Sequence, residues 1–197
     1  MGRHLLVLAS TSPRRIALLR QLGIEFDVVD PGDAENSLSP DPETHVREHA
    51  LGKAEAVASR RPNELIVAAD TIVVLEGRII EKPHDVGEAR EMLRSLSGRT
   101  HTVISAVAVM RKHEPYTDVR TEKTRVTMKK LSQEEIEAYV ATGEPIDKAG
   151  AYAAQGLGAM IIERVDGCFY NVVGLPMSLL FDMLKAAGIN LLTHPSI

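Results

Sequence analysis

Hydrophobic and polar positions in the first thirty residues alternate between the period of a strand and that of a helix. Residues 5–9 are an apolar run that predicts a strand. Ser12-Pro13 then favours the start of a helix, because Ser is preferred at the N-cap and Pro at the first helical position. The helix is predicted over residues 13–22, with Gly23 after its end. Residues 24–29 alternate like a half-buried strand, and this order is typical of an α/β protein.

The next segment predicts a long helix followed by a hairpin. Asp41-Pro42 favours a helix start, and we expect this helix to extend to about residue 60. One apolar stripe along it contains Val46, Ala50, Ala54 and Val57, and Lys53 lies at its margin. Residues 65–75 form an apolar strand, Glu76-Gly77 predicts a tight turn, and residues 78–81 predict the returning strand.

The remaining chain continues the alternation without a linker or an internal repeat. The predicted elements are a helix over 85–96, strands over 102–110 and 117–129, a helix over 132–143, a glycine-rich segment over 149–158, a strand over 159–165 and a helix from 175 to 188. Several hairpins within this order indicate a mixed β-sheet with flanking helices. We therefore expect a single α/β domain over residues 1–197.

Composition and charge exclude several classes of function. The formal net charge of −4 argues against a general nucleic-acid surface, which is normally basic. The one cysteine excludes an internal disulfide and a multi-cysteine zinc site. No 18-residue apolar run predicts a membrane helix, and the N-terminal apolar stretch is too short for a signal peptide, so we expect a cytoplasmic protein. The seven histidines lack metal-ligand spacing and are expected at the surface.

The start of the first helix predicts an anion site. Arg14 and Arg15 lie in the first turn, where unpaired backbone N–H groups already create positive charge. Two cations there are unfavourable unless an anion is bound. Together with the hydroxyl groups of Ser10, Thr11 and Ser12, they describe a site of phosphate size. The alternative is a pair of solvated arginines that bind nearby carboxylates.

Asp70 is the sharpest single candidate, because it interrupts an otherwise apolar strand. A buried carboxylate requires pairing, hydrogen bonds or a metal, so a structural and a functional role are both open. The predicted hairpin register puts Lys82 opposite Thr71, and hence near Asp70. A divalent ion on Asp70, with these cations around it, would suit a polyphosphate. The alternatives are an edge lysine at Lys82 and, for Lys53, a helix lysine extended to solvent.

A second cluster lies in the glycine-rich segment. Glycines at 150, 156 and 158 allow a ligand to approach the backbone, and the amide of Gln155 offers a donor and an acceptor to a base edge. Standing alone, this segment is equally typical of an ordinary loop.

Taken together, these motifs resemble the Maf family of nucleoside triphosphate pyrophosphatases. The matching segments are LASTSPRR at 8–15, AADTIVV at 68–74, EKP at 81–83, LSGRTHTV at 96–103, DKAGAYAAQG at 147–156 and VVGLP at 172–176. The resemblance implies a mixed sheet in two lobes around a cleft, similar to inosine triphosphate pyrophosphatases. It also implies hydrolysis of a nucleoside triphosphate to the monophosphate and pyrophosphate, a divalent cation (Mg²⁺, Mn²⁺ or Co²⁺), a homodimer and a link to arrest of cell division.

The resemblance assigns roles to individual positions. The catalytic residues are expected at Asp70, Lys53 and Lys82, and the metal ligands at Asp70 and Glu35, with Asp33 close enough to leave the second ligand open. The substrate-binding positions are Ser10, Arg14, Arg15, Thr71 and Gln155. One departure lies in Leu51-Gly52-Lys53, because a glycine within the predicted helix weakens the local backbone just before the lysine of the family's Ala-x-x-Lys pattern.

The form of the glycine-rich segment resembles the subgroup that acts on dTTP and UTP. The subgroup acting on 7-methyl-GTP carries Cys in place of Lys148 and Glu in place of Gln155. The sequence therefore predicts a pyrophosphatase for dTTP, UTP and modified pyrimidine nucleotides. The alternatives are a 7-methyl-GTP pyrophosphatase and a nucleotide-sensing regulator of cell division without turnover. Asp70 argues against a regulator, because binding alone requires cations more than a buried carboxylate.

Overall fold

A computed structural model describes residues 6–193 of the chain. Its strands are β1 (Leu6–Ala9), β2 (Phe26–Val29), β3 (Leu65–Leu75), β4 (Arg78–Ile80), β5 (Thr100–Arg111), β6 (Tyr116–Met128) and β7 (Ile162–Asp166). Its α-helices are α1 (Pro13–Gln21), α2 (Pro42–Ala58), α3 (Val86–Leu96), α4 (Gln133–Ala141), α5 (Phe169–Val173) and α6 (Met177–Ala186). Two 3₁₀ turns span Ala149–Ala151 and Gly156–Met160. Leu5, the first residue of the predicted apolar run, lies outside the described residues.

The strands form one mixed seven-stranded sheet, which confirms the predicted α/β class. Its order is β2-β1-β3-β5-β6-β7, and β4 pairs with β3 off this path. Strand β1 pairs in parallel with both β2 and β3. The pairs β3–β4 and β6–β7 are antiparallel. The parallel-paired part of β3 therefore ends level with β1 and β2, and β3 itself continues to Leu75.

The chain packs as two compact units that divide three of the strands. Unit 1 contains residues 6–70, 105–122 and 174–193 of the described chain. Unit 2 contains Thr71–Ile104 and Lys123–Val173. The boundary within β3 falls between Asp70 and Thr71, so the candidate acid belongs to unit 1 and the residue after it to unit 2.

The core of unit 1 forms where the apolar pattern predicts it. All of β1 is buried, and the stripe of α2 that contains Val46, Ala50, Ala54 and Val57 is fully buried. The Asp41 carboxylate caps α2 by accepting a hydrogen bond from the Thr44 N–H at 2.8 Å. Sequence pattern and cap therefore agree on the position of this helix.

Unit 2 is organised around α3 and α4, which pack on the sheet. Its core includes Leu93, Leu96 and Ile136. Ser132 and Glu135 form the predicted capping box at the start of α4. The turn between β3 and β4 has positive φ at both Glu76 (51°) and Gly77 (79°), as the favoured two-residue hairpin turn requires.

The structure differs from the predicted elements at three places in unit 2. Strand β4 ends at Ile80, and the Glu81 carbonyl accepts instead from the Gly150 N–H at 3.0 Å. The predicted strand over 159–165 begins only at Ile162, because the preceding residues form a 3₁₀ turn. The short helix α5 lacks the length that a periodic pattern needs to be recognised.

Within residues 6–193, no helix has both the length and the apolar character of a membrane span.

Candidate active site

Asp70 lies within β3, two residues after the part of this strand that pairs in parallel with β1. The β1–β3 ladder pairs Ala9 with Ala68, so Ser10 and Asp70 both follow its last pair. Asp70 is 8% exposed. Ligands of open α/β sheets bind at this edge, outside the carboxyl ends of the strands. The position of the candidate acid is therefore that of a ligand site rather than of the core.

Lys53 of α2 pairs with two carboxylates at once. Its Nζ lies 2.8 Å from Oδ1 of Asp70 and 2.5 Å from Oε1 of Glu35. Lys53 is buried, so the alternative of a lysine extended to solvent is wrong. The physical reason is that burial of an ammonium is offset by two opposite charges within hydrogen-bond distance.

Gly52 explains how Glu35 reaches this cluster. A Cβ at position 52 would lie 2.6 Å from the carbonyl oxygen of Ala34, closer than packed atoms approach. Glycine thus allows the loop after β2 to lie directly on α2, beside Lys53. The departure from the family pattern at Gly52 therefore accompanies the contact between Glu35 and Lys53. A contact of this kind distinguishes Glu35 from the neighbouring Asp33 in the described structure.

His49 completes the cluster and was not singled out by the sequence. Its Nδ1 lies 3.3 Å from Oδ2 of Asp70, and its ring lies 4.2 Å from that of His45. The expectation of surface histidines is wrong for His49 and for His101, which are both buried. A signal for His49 existed, because it precedes Lys53 by four residues and lies on the same buried stripe of α2.

The electrostatics of the cluster keep Asp70 ionised. Burial alone would raise the pKa of this carboxyl group. The hydrogen bond from His49 and the charges of Lys53 and Arg15 outweigh burial and hold the pKa of Asp70 well below its usual range. Asp70 is therefore an anion at neutral pH.

The start of α1 keeps the features of an anion site. Ser12 occupies the N-cap position without a side-chain hydrogen bond to the first turn, and that turn contains no acidic residue. Ser10 is buried and its Oγ accepts from the Ser12 N–H at 3.1 Å. Arg15 donates from Nε to the Gly174 carbonyl at 2.8 Å, which orients its guanidinium, and Arg14 is half-buried. The predicted residues Ser10, Arg14 and Arg15 thus lie in unit 1, as do Glu35, Lys53 and Asp70.

The other predicted site residues belong to unit 2. Thr71 is half-buried on β3, while Lys82 and Gln155 are exposed. The observed ladder pairs Val73 with Ile80, which agrees with the predicted register, but it ends two residues before Lys82. Lys82 therefore lies in the loop after β4 rather than in a paired strand. The bond between Gly150 and Glu81 joins this loop to the glycine-rich segment.

Gly150 itself requires glycine for two reasons. Its φ is +72°, in the left-handed region, and a Cβ there would lie 3.0 Å from a methyl group of Val73. The backbone of the segment thus packs directly on β3. This contact explains why the residues before Gln155 include a glycine, independently of any ligand.

Comparison with known proteins agrees with these features. A family profile described as "Maf-like protein" matches residues 5–187. A dTTP/UTP pyrophosphatase from Pelotomaculum thermopropionicum is 50% identical over 190 residues, which cover 95% of this chain and 98% of that protein. A dTTP/UTP pyrophosphatase from Dictyoglomus thermophilum is 46% identical over 189 residues, with coverage of 95% and 98%.

A solved structure extends the comparison to the fold. The Staphylococcus aureus Ham1 protein is similar with a TM-score of 0.51 and 15% identity, over 92% of this chain and 98% of that one. At this identity the likeness concerns the fold alone, and it agrees with the predicted mixed sheet. On the extent of the profile match and the identity to full-length relatives, this chain belongs to the Maf family.

Proposed function

We propose that this protein hydrolyses dTTP and UTP to the nucleoside monophosphate and pyrophosphate. The observation that carries the proposal is the ionised, buried Asp70, which Lys53 holds just beyond the parallel ladder of β1 and β3. The names of the relatives at 46–50% identity supply the substrate class. The second carboxylate on the same lysine, Glu35, supports the proposal, because two neighbouring carboxylates can hold a divalent cation.

The triphosphate would bind at the start of α1. Backbone N–H groups of the first turn and the guanidinium groups of Arg14 and Arg15 supply positive charge there. The hydroxyl hydrogen of Ser10 is available to donate, because its oxygen serves as the acceptor for Ser12. Lys53 and Lys82 would neutralise the charge that grows on the phosphate oxygens as pyrophosphate leaves.

The residues around Asp70 fit a divalent cation bound in part by the substrate. Asp70 and Glu35 converge on one position, that of the Lys53 ammonium group. Within the described part of the chain, no group of three or more His, Cys, Asp or Glu side chains could hold a metal. Two carboxylates together with phosphate oxygens are the ligand set that Mg²⁺ prefers, and Mn²⁺ and Co²⁺ are the other candidates. A bound cation would stabilise phosphate charge and acidify water.

Asp70 acts in this proposal as an ionic ligand rather than as a general base. A carboxylate whose pKa lies well below the usual range accepts a proton from water poorly. Its charge, in contrast, is present over the whole neutral range. Lys53 keeps Asp70 and Glu35 close together despite their mutual repulsion, and so prepares both for a cation.

The residues of unit 2 would recognise the base. The amide of Gln155 offers a donor and an acceptor, which match the O4/N3 edge shared by uracil and thymine. Thr71 follows Asp70 directly in β3, and with Arg14 we propose it as a further specificity position. A single Maf-like domain and a homodimer complete the proposal on the basis of the family resemblance, and a cytoplasmic location on the basis of the sequence pattern.

One experiment tests the proposal against its rivals. Pyrophosphate release is measured with Mg²⁺, Mn²⁺ or Co²⁺ for dTTP, UTP, CTP, GTP and 7-methyl-GTP. We expect turnover with a divalent cation, and faster release from dTTP and UTP than from the other three. Preference for 7-methyl-GTP would replace the substrate and keep the reaction. Tight binding of nucleotides without any release would favour a nucleotide-sensing regulator.

A further inference from the structure

The side chain of Glu144 lies under the segment that carries Gln155. Its Oε1 accepts a hydrogen bond from the Gly158 N–H at 2.8 Å, and its Oε2 accepts from the Leu157 N–H at 3.1 Å. Glu144 follows α4 and is separated from these two residues by a long stretch of chain. One carboxylate therefore fixes two consecutive peptide groups, those of the Leu157 and Gly158 N–H, which begin one residue after Gln155.

Tyr139 of α4 fixes the same segment on the other side of Gln155. Its hydroxyl group donates to Oε1 of Glu144 at 2.8 Å and accepts from the Ala153 N–H at 3.2 Å. The ring is buried in the core of unit 2. Gln155 is exposed between these anchored positions. We refer to Tyr139 and Glu144 as the Tyr–Glu anchor.

Two glycines allow the segment to wrap closely around the Tyr–Glu anchor. A Cβ at Gly156 would lie 2.5 Å from Oε2 of Glu144, and Gly156 has a φ of +68°. A Cβ at Gly158 would lie 2.5 Å from the Tyr139 hydroxyl and 2.3 Å from the Ala153 carbonyl. Glycine at both positions is therefore a requirement of this contact.

Two further hydrogen bonds fix the backbone of Glu144. The Lys148 Nζ donates to the backbone carbonyl of Glu144 at 2.6 Å, and the Glu144 N–H donates to Oγ1 of Thr142 at 3.1 Å. Burial would raise the pKa of Glu144, but the hydrogen bonds from Tyr139, Gly158 and Leu157 outweigh it and lower the pKa. The carboxylate therefore stays ionised at neutral pH, and both of its oxygens remain hydrogen-bond acceptors.

We propose that the Tyr–Glu anchor sets the selectivity for the base by holding the backbone around Gln155 in one conformation. This inference rests on the proposed function, in which Gln155 recognises the base. An amide on a mobile backbone can rotate to suit either a uracil or a cytosine edge. A fixed backbone limits the positions that the amide can reach, and the backbone N–H and C=O groups beside it keep one order of donors and acceptors, so the segment as a whole discriminates. Tyr139 and Glu144 are positioning residues, because they act through Gln155.

The test uses two variants with matched controls. Glu144→Gln removes one acceptor, and Tyr139→Phe removes only the hydroxyl group. Glu134→Gln and Tyr170→Phe make the same chemical changes at exposed positions in α4 and α5. Both kcat and KM are measured for UTP and CTP, and thermal unfolding verifies that each variant is folded.

We expect each anchor variant to lower the ratio of kcat/KM for UTP over CTP by roughly fivefold, the effect of one lost hydrogen bond. The change should arise mainly from a higher KM for UTP, since the groups near Asp70 are untouched. The control variants should keep the wild-type ratio. A purely structural role would instead lower activity on both nucleotides in proportion, and this result would overturn the inference.

A double-mutant cycle with Gln155→Ala supplies the second readout. If the anchor acts through Gln155, Tyr139→Phe should no longer alter the ratio once Gln155 is absent. An undiminished effect in that background would also overturn the inference. A wild-type protein that releases no pyrophosphate from any nucleotide would refute the proposed function, and the inference with it. Selective wild-type turnover with unchanged ratios in the variants would refute the inference alone.

Discussion

The two units differ in the kind of polar group that they bury. Unit 1 buries charge, with the carboxylate of Asp70 held between the ammonium group of Lys53 and the ring of His49. Unit 2 buries neutral hydrogen-bonding groups, such as the His101 ring, whose Nε2 lies 2.7 Å from the hydroxyl of Tyr152. Both arrangements offset the free-energy cost of desolvation, but among the described residues the buried lysine and the buried carboxylate, Lys53 and Asp70, both lie in unit 1.

This difference indicates a division of labour. Buried charges of opposite sign act strongly on a reacting phosphate, because the low dielectric of the interior leaves them unscreened. Neutral hydrogen bonds and close backbone contacts define shape instead, as around Gly150 and Gly158. We therefore expect substitutions in unit 1 to alter mainly the rate, and those in unit 2 to alter mainly the choice of substrate or the stability.

The largest effect is expected at the charged centre of unit 1. Asp70→Asn keeps the shape of the side chain and removes its charge, so a cation would lose its principal ligand. We expect kcat for UTP to fall by at least about 100-fold, because a bound cation contributes several kcal/mol of charge stabilisation in the transition state. The exposed residue Asp182 offers a control, since Asp182→Asn makes the same change on α6. Turnover of Asp70→Asn near the wild-type value would refute the assigned role.

The neutral cluster of unit 2 predicts a pH dependence of stability. Burial lowers the pKa of His101 to about 4, from an ordinary value of 6.5. Between these two values the unfolded chain binds a proton that the folded protein does not. The contribution of His101 to the free energy of unfolding is therefore fully present above pH 6.5. It decreases as the pH is lowered, and it does not decrease further below about pH 4. The full loss corresponds to about 3 kcal/mol.

Urea unfolding between pH 7.5 and 4.5 measures this loss. His101→Gln removes the titrating ring, so the stability of the variant should decline less over the same range than that of the wild type. His113→Gln, at an exposed position, should behave as the wild type does. Parallel pH profiles for all three proteins would show that His101 does not contribute in this way.

The sequence predicted the ionic centre better than the neutral one, for a physical reason. A single carboxylate inside an apolar strand is visible along the chain, and Lys53 and His49 share one helical stripe with known buried residues. The contact between Glu35 and Lys53 depends on Gly52, which lets a distant loop approach α2. The periodicity of hydrophobic residues cannot indicate such a contact. The feature of the sequence that could have indicated it was Gly52, a residue that is unfavourable within a helix.

The Tyr–Glu anchor, in contrast, could not be predicted from the sequence. Glu144 follows a helix and resembles a solvated loop residue in the sequence, while Tyr139 fits the apolar face of α4. Their partners are backbone N–H groups, which every residue except proline possesses. Hydrogen bonds to the backbone leave no pattern in the partner's side chains. They became apparent only with the fold.

The next prediction in size concerns the base. Gln155→Glu replaces the amide donor by a second acceptor, and the N3–H/O4 edge of uracil then meets a carboxylate. By analogy with base-edge contacts in nucleic acids, the loss is expected at about 1–3 kcal/mol. The ratio of kcat/KM for UTP over GTP should fall accordingly. Gln133→Glu, at an exposed position in α4, is the control. An equal loss of turnover on all nucleotides in Gln155→Glu would contradict a role in base recognition.

The smallest effect on activity is expected at His49, which contacts Asp70 but supplies a hydrogen bond rather than an ionic pair. His49→Leu removes the hydrogen bond to Oδ2 of Asp70, and His49→Gln keeps a donor within reach of it. We expect kcat for UTP to fall about fivefold in the leucine variant, the effect of one hydrogen bond, and to be largely retained in the glutamine variant.

Stability separates this role from a structural one. Within residues 6–193, Nε2 of His49 is buried without a hydrogen-bond partner, so an apolar side chain of similar size removes an unfavourable burial. The leucine also leaves Oδ2 of Asp70 without this hydrogen bond, and because the two effects oppose each other, His49→Leu should unfold near the wild-type temperature while its kcat is lower. His113→Leu, at an exposed position, controls for the substitution itself. Equal losses of activity in the leucine and glutamine variants, accompanied by lower unfolding temperatures, would mean that His49 merely fills space beside Asp70.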